Sequence, residues 1–304
     1  MRIGFAIPIS GAWATPANQA EVARRAEELG YHSIWTLQRL LNPADSPDLT
    51  YRNVPDPLIT LSYLAALTRR IRLGVAIVNM PFVAPAVLAK QATTLDHVSG
   101  GRLDLGLGTG WMPAEFAAAG TSMARRGARA EEYLAALRAL WRDEVSEFHG
   151  EFYDFPPVVM EPKPVQSPEP PILLGGTAEP ALRRAGRLAA GWVSSSRADL
   201  AALGRSVGIV REAAEKAGRD PGELRFVCRG AVRIRPDGAA DPDRPPLTGT
   251  LAQVLDDVGS LAAQGVTELF VDLNFDAELT GPDADPDASM DRAREALEAF
   301  APGA

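Results

Sequence analysis

A (β/α)8 barrel of the TIM type is the fold class this sequence predicts, and three observations lead to it. Short apolar runs alternate with longer helix-like stretches eight times along the chain. The chain has 304 residues and is 46% hydrophobic, enough to bury one large core, and barrels of this kind reach that length as one domain. No linker separates two cores, so residues 1–304 are expected to form a single domain. An open, doubly wound sheet of eight strands is the alternative layout for the same alternation.

The first run, RIGFAIPI (2–9), leads to a helix over 16–29 entered through Thr15 as N-cap with Pro16 in the first turn, and left through Gly30. HSIWTL (32–37) passes through a polar, Pro-containing loop to a helix over 57–68. IRLGVAIVN (71–79) precedes a helix over 85–98, which Ser99-Gly100-Gly101 closes, and RLDLGLG (102–108) precedes a long helix over 124–142. The second half repeats the plan: PPILLGG (170–176) with a helix over 178–189, GWVSSS (191–196) with 198–217, LRFVCRGAVRI (224–234) with 249–264, and TELFVDL (267–273) with 288–300. Residues 146–170, a short alternating stretch followed by a Pro-rich one, read as a hairpin and an extended connection inserted after the fourth helix. Residues 236–248 and 280–288 read as flexible polar loops.

Charge and composition narrow the partner. A formal net charge of −8 and a pI near 5.1 argue against nucleic acid or an anionic membrane and favour a small molecule. Arg2 followed by apolar residues, with Ala12-Trp13-Ala14 beyond, has the outline of a secretion signal. The apolar stretch is too short and is broken by Gly4 and Pro8, so a buried first strand is expected. No run approaches the ~20 apolar residues of a membrane span. Cys228 is the single cysteine, which excludes an internal disulfide and fits a reducing cytoplasm. His32, His97 and His149 lack metal-ligand spacing, so no metal is expected, and Ser194-Ser195-Ser196 lacks the setting of a hydrolase nucleophile.

Two glycine-rich stretches are candidates for ligand contact. In GRLDLGLGTGWMPAEF (101–116), Gly106, Gly108 and Gly110 imitate a dinucleotide fingerprint, but the third glycine falls one residue early, Trp111 takes its place, and the stretch does not open the fold. In a barrel these glycines lie where the fourth strand meets its loop, at the end where active sites collect, and would let backbone approach a flat ligand. Gly175-Gly176-Thr177 ends the fifth run just before a helix, a place where free N–H groups and the helix dipole suit a phosphate. Either stretch alone could equally be a plain tight turn.

Residues 56–120 (DPLITLSYLAALTRRIRLGVAIVNMPFVAPAVLAKQATTLDHVSGGRLDLGLGTGWMPAEFAAAG) resemble the luciferase-like monooxygenase superfamily, as do AEELGYHSIW (26–35), the W-x-D-E-x-x-x-F-x-G-E-x-Y pattern at 141–153, and 163–192. The resemblance implies a flavin-type cofactor, either the deazaflavin coenzyme F420, which the Ala- and Arg-rich style favours, or FMN. It implies a bulge with a non-proline cis peptide at Ala76-Ile77 against the cofactor ring, contacts from Gln38 and Asn79 to the ring, a loop at Gly108, Thr109 and Gly110 beside it, and a phosphate cradle at Leu174, Gly175, Gly176 and Thr177 with Ser194 and Ser195 as added donors. Arg184 would be either a further charge there or a helix-surface residue. The family also suggests a homodimer.

The departures bear on chemistry. Relatives that oxidise sugar phosphates carry an aspartate and histidine pair after the second strand and a glutamate after the GTG triplet; here Gln38, Arg39 and Trp111 stand at those places. Arginine stays protonated, so Arg39 can polarise a carbonyl, nitro group or conjugated acid but cannot act as a base; a salt bridge to Asp45, Asp48 or Asp56 is the other reading. Trp13 and Trp111 are expected to wall the substrate side. Glu115 is either a proton carrier or a first-turn carboxylate bound to nearby backbone. The expected activity is F420-dependent hydride transfer to or from a small, fairly apolar substrate, with an FMN-dependent monooxygenase and a non-catalytic cofactor-binding barrel as alternatives.

Overall fold

The structure, a computed structural model, describes residues 1–235 and 243–303. Along the chain run β1 (Arg2–Ala6), α1 (Pro16–Glu28), β2 (Ser33–Thr36), α2 (Pro57–Leu67), β3 (Arg72–Asn79), α3 (Pro85–Ser99), β4 (Leu103–Gly108), the short α4 (Pro113–Ala118) and the long α5 (Arg126–Arg142). A hairpin of β5 (Ser146–His149) and β6 (Asp154–Val158) follows. Then come β7 (Ile172–Gly175), α6 (Glu179–Leu188), β8 (Gly191–Val193), α7 (Leu203–Lys216), β9 (Arg225–Ala231), β10 (Arg233–Ile234), β11 (Thr248–Gly249), α8 (Leu251–Ala263), β12 (Glu268–Asp272), α9 (Ala277–Thr280) and α10 (Pro286–Ala299).

Eight parallel strands close into a barrel in the order β1-β12-β9-β8-β7-β4-β3-β2. Closure is explicit, because Gly4 of β1 pairs with Ser33 on one side and with Phe270 of β12 on the other. The chain is therefore a (β/α)8 barrel, and the open-sheet alternative falls. Helix entries follow side-chain chemistry: Thr15 Oγ1 accepts the Asn18 amide at 3.2 Å at the start of α1, Asp56 caps α2, and Thr250 and Gln253 form a capping box on α8. Gly30 leaves α1 with φ of 82°, a left-handed turn that a Cβ would oppose.

The inserted hairpin forms as the alternating stretch predicts, β5 and β6 pairing antiparallel. Glu132 of α5 holds its tip, accepting the amides of Phe152 and Tyr153, each at 2.6 Å. The described parts of the two segments read as flexible loops are more ordered than expected. Of 236–248, residues 236–242 lie outside the described residues; beyond them, Arg244 forms a bidentate pair with Asp257 at 2.6 and 3.0 Å, Leu247 is fully buried, and β11 pairs with β10. Within 280–288, Asp285 caps α10, which begins at Pro286.

Inside the barrel, Trp35 stacks on Phe270 with ring centroids 4.9 Å apart, and a Cβ at Gly74 would collide with its indole. Below this plug, at the N-terminal ends of the strands, lies a charged network. Asp104, fully buried, accepts Arg225 at 2.7 and 2.9 Å and Arg72 at 2.6 and 2.9 Å, while Glu268 accepts Arg225 at 2.9 Å and Ser33 Oγ at 2.5 Å. Burial alone would push the Asp104 pKa up; the bonds from Arg72 and Arg225 outweigh it and hold the carboxyl below its ordinary 3.8.

Removing this anion leaves buried Arg225 with Glu268 alone and Arg72 with no carboxylate, so Asp104→Asn is expected to lower the unfolding free energy by about 3 kcal/mol, read from denaturant unfolding at neutral pH. Because the folded-state pKa lies below the unfolded one, the stabilisation is complete above the ordinary value and is lost as pH falls through the folded value. Thermal melts should show the wild type losing stability on acidification more steeply than the Asp104→Asn protein.

Candidate functional site

At the C-terminal ends of the strands a cleft of about 560 Å³ opens. One wall is the bulge of β3. Its pairing with β4 shifts register between Val75 and Val78, and the Ala76-Ile77 peptide between them is cis, as the resemblance implies. Both carbonyls of this bulge are tied: Arg229 Nη1 donates to Ala76 O and the Gln38 amide to Ile77 O, each at 3.3 Å. Gln38 Oε1 in turn accepts the Asn79 amide at 2.8 Å and Asn79 Nδ2 at 3.3 Å. Gln38, Ala76, Ile77 and Asn79 therefore meet on one surface of the cleft.

The glycines of β4 serve this bulge. A Cβ on Gly106 would overlap the Val75 carbonyl oxygen, and one on Gly108 would overlap the Ile77 side chain. Backbone approach to a ligand is thus not what Gly106 provides; the close partner is the neighbouring strand. Gly110, with φ of 71°, turns the chain so tightly that a Cβ would lie 2.9 Å from the Phe116 ring. Gly108, Thr109 and Gly110 all line the cleft.

Gly175, Gly176 and Thr177 line the cleft beside this wall, where β7 runs into α6 and a Cβ on Gly175 would lie 3.3 Å from Ile77 Cγ2. Gly176 has φ of 131°, its carbonyl accepts Trp192 Nε1 at 2.8 Å, and a Cβ there would sit 2.6 Å from Ala181 Cβ. The turn is held open, and the amides of Thr177 and Ala178 donate to no described residue. Leu174 departs from expectation. Strand alternation sends Leu173 into the barrel and Leu174 outward among the helices, so its side chain has no surface on the cleft. Ser194 and Ser195 line the cleft as expected; Ser194 Oγ accepts the Arg229 amide at 2.9 Å and Ser195 Oγ the Arg197 amide at 3.1 Å. Arg184 also reaches the wall, with Nε 3.2 Å from Glu131.

Toward the β2 side, Arg39 lies with its guanidinium carbon 4.4 Å from the Tyr51 ring centroid and 5.0 Å from that of Trp111. Its carboxylate partner is Glu115 of α4, at 2.6 Å, in place of Asp45, Asp48 or Asp56. Glu115 Oε1 also accepts the Leu40 amide at 2.8 Å, and its side chain is fully buried away from the cleft wall. It positions Arg39 and the β2 loop, and the proton-carrier expectation is corrected on that geometry. Trp111 lines the cleft, half exposed. Trp13 does not: the turn after β1, fastened by the Thr15 amide on the Trp13 carbonyl at 2.8 Å, folds the indole fully into the main core.

Several cleft residues escaped the sequence reading. Arg229 is the most informative, a buried arginine on β9 whose Nε donates to Asp272 at 2.7 Å and whose amide bonds Ser194. A charged residue inside the run LRFVCRGAVRI was the available signal. Tyr51, Arg126 and Arg197 come from loops and helix starts, where no periodicity points to them. Cys228, beside Arg229, is buried, and burial pushes its thiol up to about 12.

Residues 1–244 match the family model of the luciferase-like monooxygenases. The chain belongs to this family. The luciferase-like chain is 37% identical over 134 residues, 43% of its length and 37% of the relative's, to an FMNH2-dependent dimethylsulfone monooxygenase of Pseudomonas putida. Its fold superimposes on the monooxygenase RslO1 from Streptomyces bottropensis with a TM-score of 0.81 and 26% identity, covering 99% of this chain and 98% of that one. It superimposes with a TM-score of 0.79 on an F420-dependent secondary alcohol dehydrogenase complexed with an F420-acetone adduct, at 17% identity and 98% coverage of both chains. Of these similar proteins, one is named as FMNH2-dependent and one as F420-dependent.

Two outcomes follow for this luciferase-like site. Gly106→Ala forces β3 and β4 apart and should cost about 1–3 kcal/mol, whereas Gly208→Ala, in open space on α7, should gain about 0.5–1 kcal/mol; denaturant midpoints compare them. Cys228 in the native protein should resist an aromatic disulfide reagent at mildly alkaline pH and react once in denaturant.

Proposed function

We propose that this chain is an oxidoreductase that binds coenzyme F420 in the cleft and carries out a two-electron step on a small organic substrate. The observation that carries the proposal is the pairing of two features in one cavity: the tied bulge at Ala76-Ile77 and the open, glycine-lined turn at 175–177 beside it. The residues fit such a group. A flat ring has the bulge, Gln38 and Asn79 on one side; an anionic tail has the unpaired amides of Thr177 and Ala178 at the start of α6, the hydroxyls of Thr177 and Ser195, and the guanidinium groups of Arg126 and Arg184.

When bound, the coenzyme supplies a carbon that accepts or gives a hydride. The chain's own residues bind and orient: Arg229 and Gln38 hold the bulge rigid, Trp192 holds the Gly176 turn, and Tyr51 and Trp111 give the neighbouring space an aromatic wall that limits water. F420 carries a phosphate followed by further carboxylates, more negative charge than the single phosphate of FMN. The arginines along the mouth favour that longer anion. Reduced FMN with oxygen is the second reading, supported by the Pseudomonas putida relative.

Fluorescence titration of the purified protein with F420 and, separately, FMN tests the proposal. F420 is expected to bind, Arg184→Ala to weaken it by about tenfold, and added salt to weaken it further. Binding of FMN alone, with substrate-dependent oxygen consumption, would transfer the protein to the second reading.

A further inference from the structure

The charged side chains on the cleft wall are Arg39, Arg126, Arg184, Arg197 and Arg229, and among the described residues no aspartate or glutamate joins them. In a chain of formal net charge −8 this concentrates positive potential in one place. Four of the five have evident employment. Arg126 donates to the Gly110 carbonyl at 3.3 Å, Arg184 to Glu131 at 3.2 Å, Arg197 to Asp48 at 3.5 Å, and Arg229 spans Asp272 and the Ala76 carbonyl.

Arg39 differs. Its Nη1 is committed to Glu115 and lies 3.7 Å from Met112 Sδ, but its Nε is buried without a partner, and its Nη2 donates to no described residue. The side chain is 6% exposed, so this unmet donor is enclosed within the molecule. Tyr51 and Trp111 pack over the guanidinium, so its enclosed edge opens to a ligand only where Trp111 moves aside. Two N–H groups on one edge of a guanidinium match the two oxygens of a carboxylate. Glu115, anchored also by the Leu40 amide, keeps that edge in place before anything binds. Trp111 is 51% exposed, lies 5.5 Å from the Arg197 guanidinium as well, and belongs to the cleft surface and not to the core.

We propose that Arg39 anchors a carboxylate of the substrate, so that the substrate class is a small carboxylic acid whose apolar body lies against Leu37 and the Trp111 ring. This rests on the cleft being the active site described above and assigns the end of it that the coenzyme's tail does not need. A neutral carbonyl or amide offers one acceptor oxygen where a carboxylate offers two, and would leave one of the two donors unmet.

Calorimetric titration of the full chain with cinnamate and with cinnamamide, in the presence and absence of F420, provides the test. Cinnamate is expected to bind at least about tenfold more tightly than the amide, and Arg39→Gln to remove at least about tenfold of the cinnamate affinity while F420 and cinnamamide affinities stay unchanged. Equal binding of acid and amide, an unchanged cinnamate affinity in Arg39→Gln, or no binding of cinnamate, benzoate or hexanoate at millimolar concentration would overturn it. A loss of F420 affinity in Arg39→Gln would also overturn it, by giving the residue to the coenzyme. If Arg39→Gln does not fold, the acid-to-amide ratio of the wild type decides. Arg39-dependent cinnamate binding without F420 binding would leave the anchor standing and remove the coenzyme reading; F420 binding without acid selectivity would do the reverse.

Discussion

The close approach of β3 and β4 is the constraint from which the site follows. An L side chain at Gly106 would overlap the Val75 carbonyl, and one at Gly108 would overlap Ile77, so the bulge at Ala76-Ile77 exists only because β4 presents backbone there. The bulge in turn sets where Arg229 and Gln38 must reach, and their hydrogen bonds bring β9 and the β2 loop to the same surface. A cleft wall built from four elements thus traces to two missing Cβ atoms.

Burying charge in pairs is the second theme. At the bottom of the barrel Asp104 and Glu268 gather Arg72 and Arg225; at the top Asp272 holds Arg229 and Glu115 holds Arg39. An unpaired buried charge is costly, so the two buried guanidinium groups of the cleft, Arg39 and Arg229, each come with a buried carboxylate set behind them, away from the wall. The result separates the two by position: Glu115 and Asp272 lie in the interior, and Arg39 and Arg229 line the cleft. It also explains why Glu115, a plausible proton carrier when read as a carboxylate near a glycine loop, is a support for Arg39 once its partners are known.

The same logic accounts for the hits and misses among site residues. Gly175, Gly176 and Thr177 were legible because a glycine pair before a helix has a local backbone meaning that survives folding. Trp13 and Leu174 were misplaced because orientation, which face of a strand or turn a side chain occupies, depends on neighbours far along the chain. Arg229, Tyr51 and Arg197 were invisible as a group, since they lie on different strands and loops and share a wall only after closure.

By itself the sequence determined the alternation of strands and helices, the helix entry at Thr15, the inserted hairpin, and the family to which the chain belongs, because each depends on short-range periodicity, capping chemistry or contiguous residue identity. Tertiary structure alone decided which charges pair, which aromatic ring reaches the cleft and which is sealed in the core, and that Arg39 keeps an unmet donor. Those outcomes are set by distances between residues such as Arg39 and Glu115, separated by 76 positions and joined only when the barrel closes.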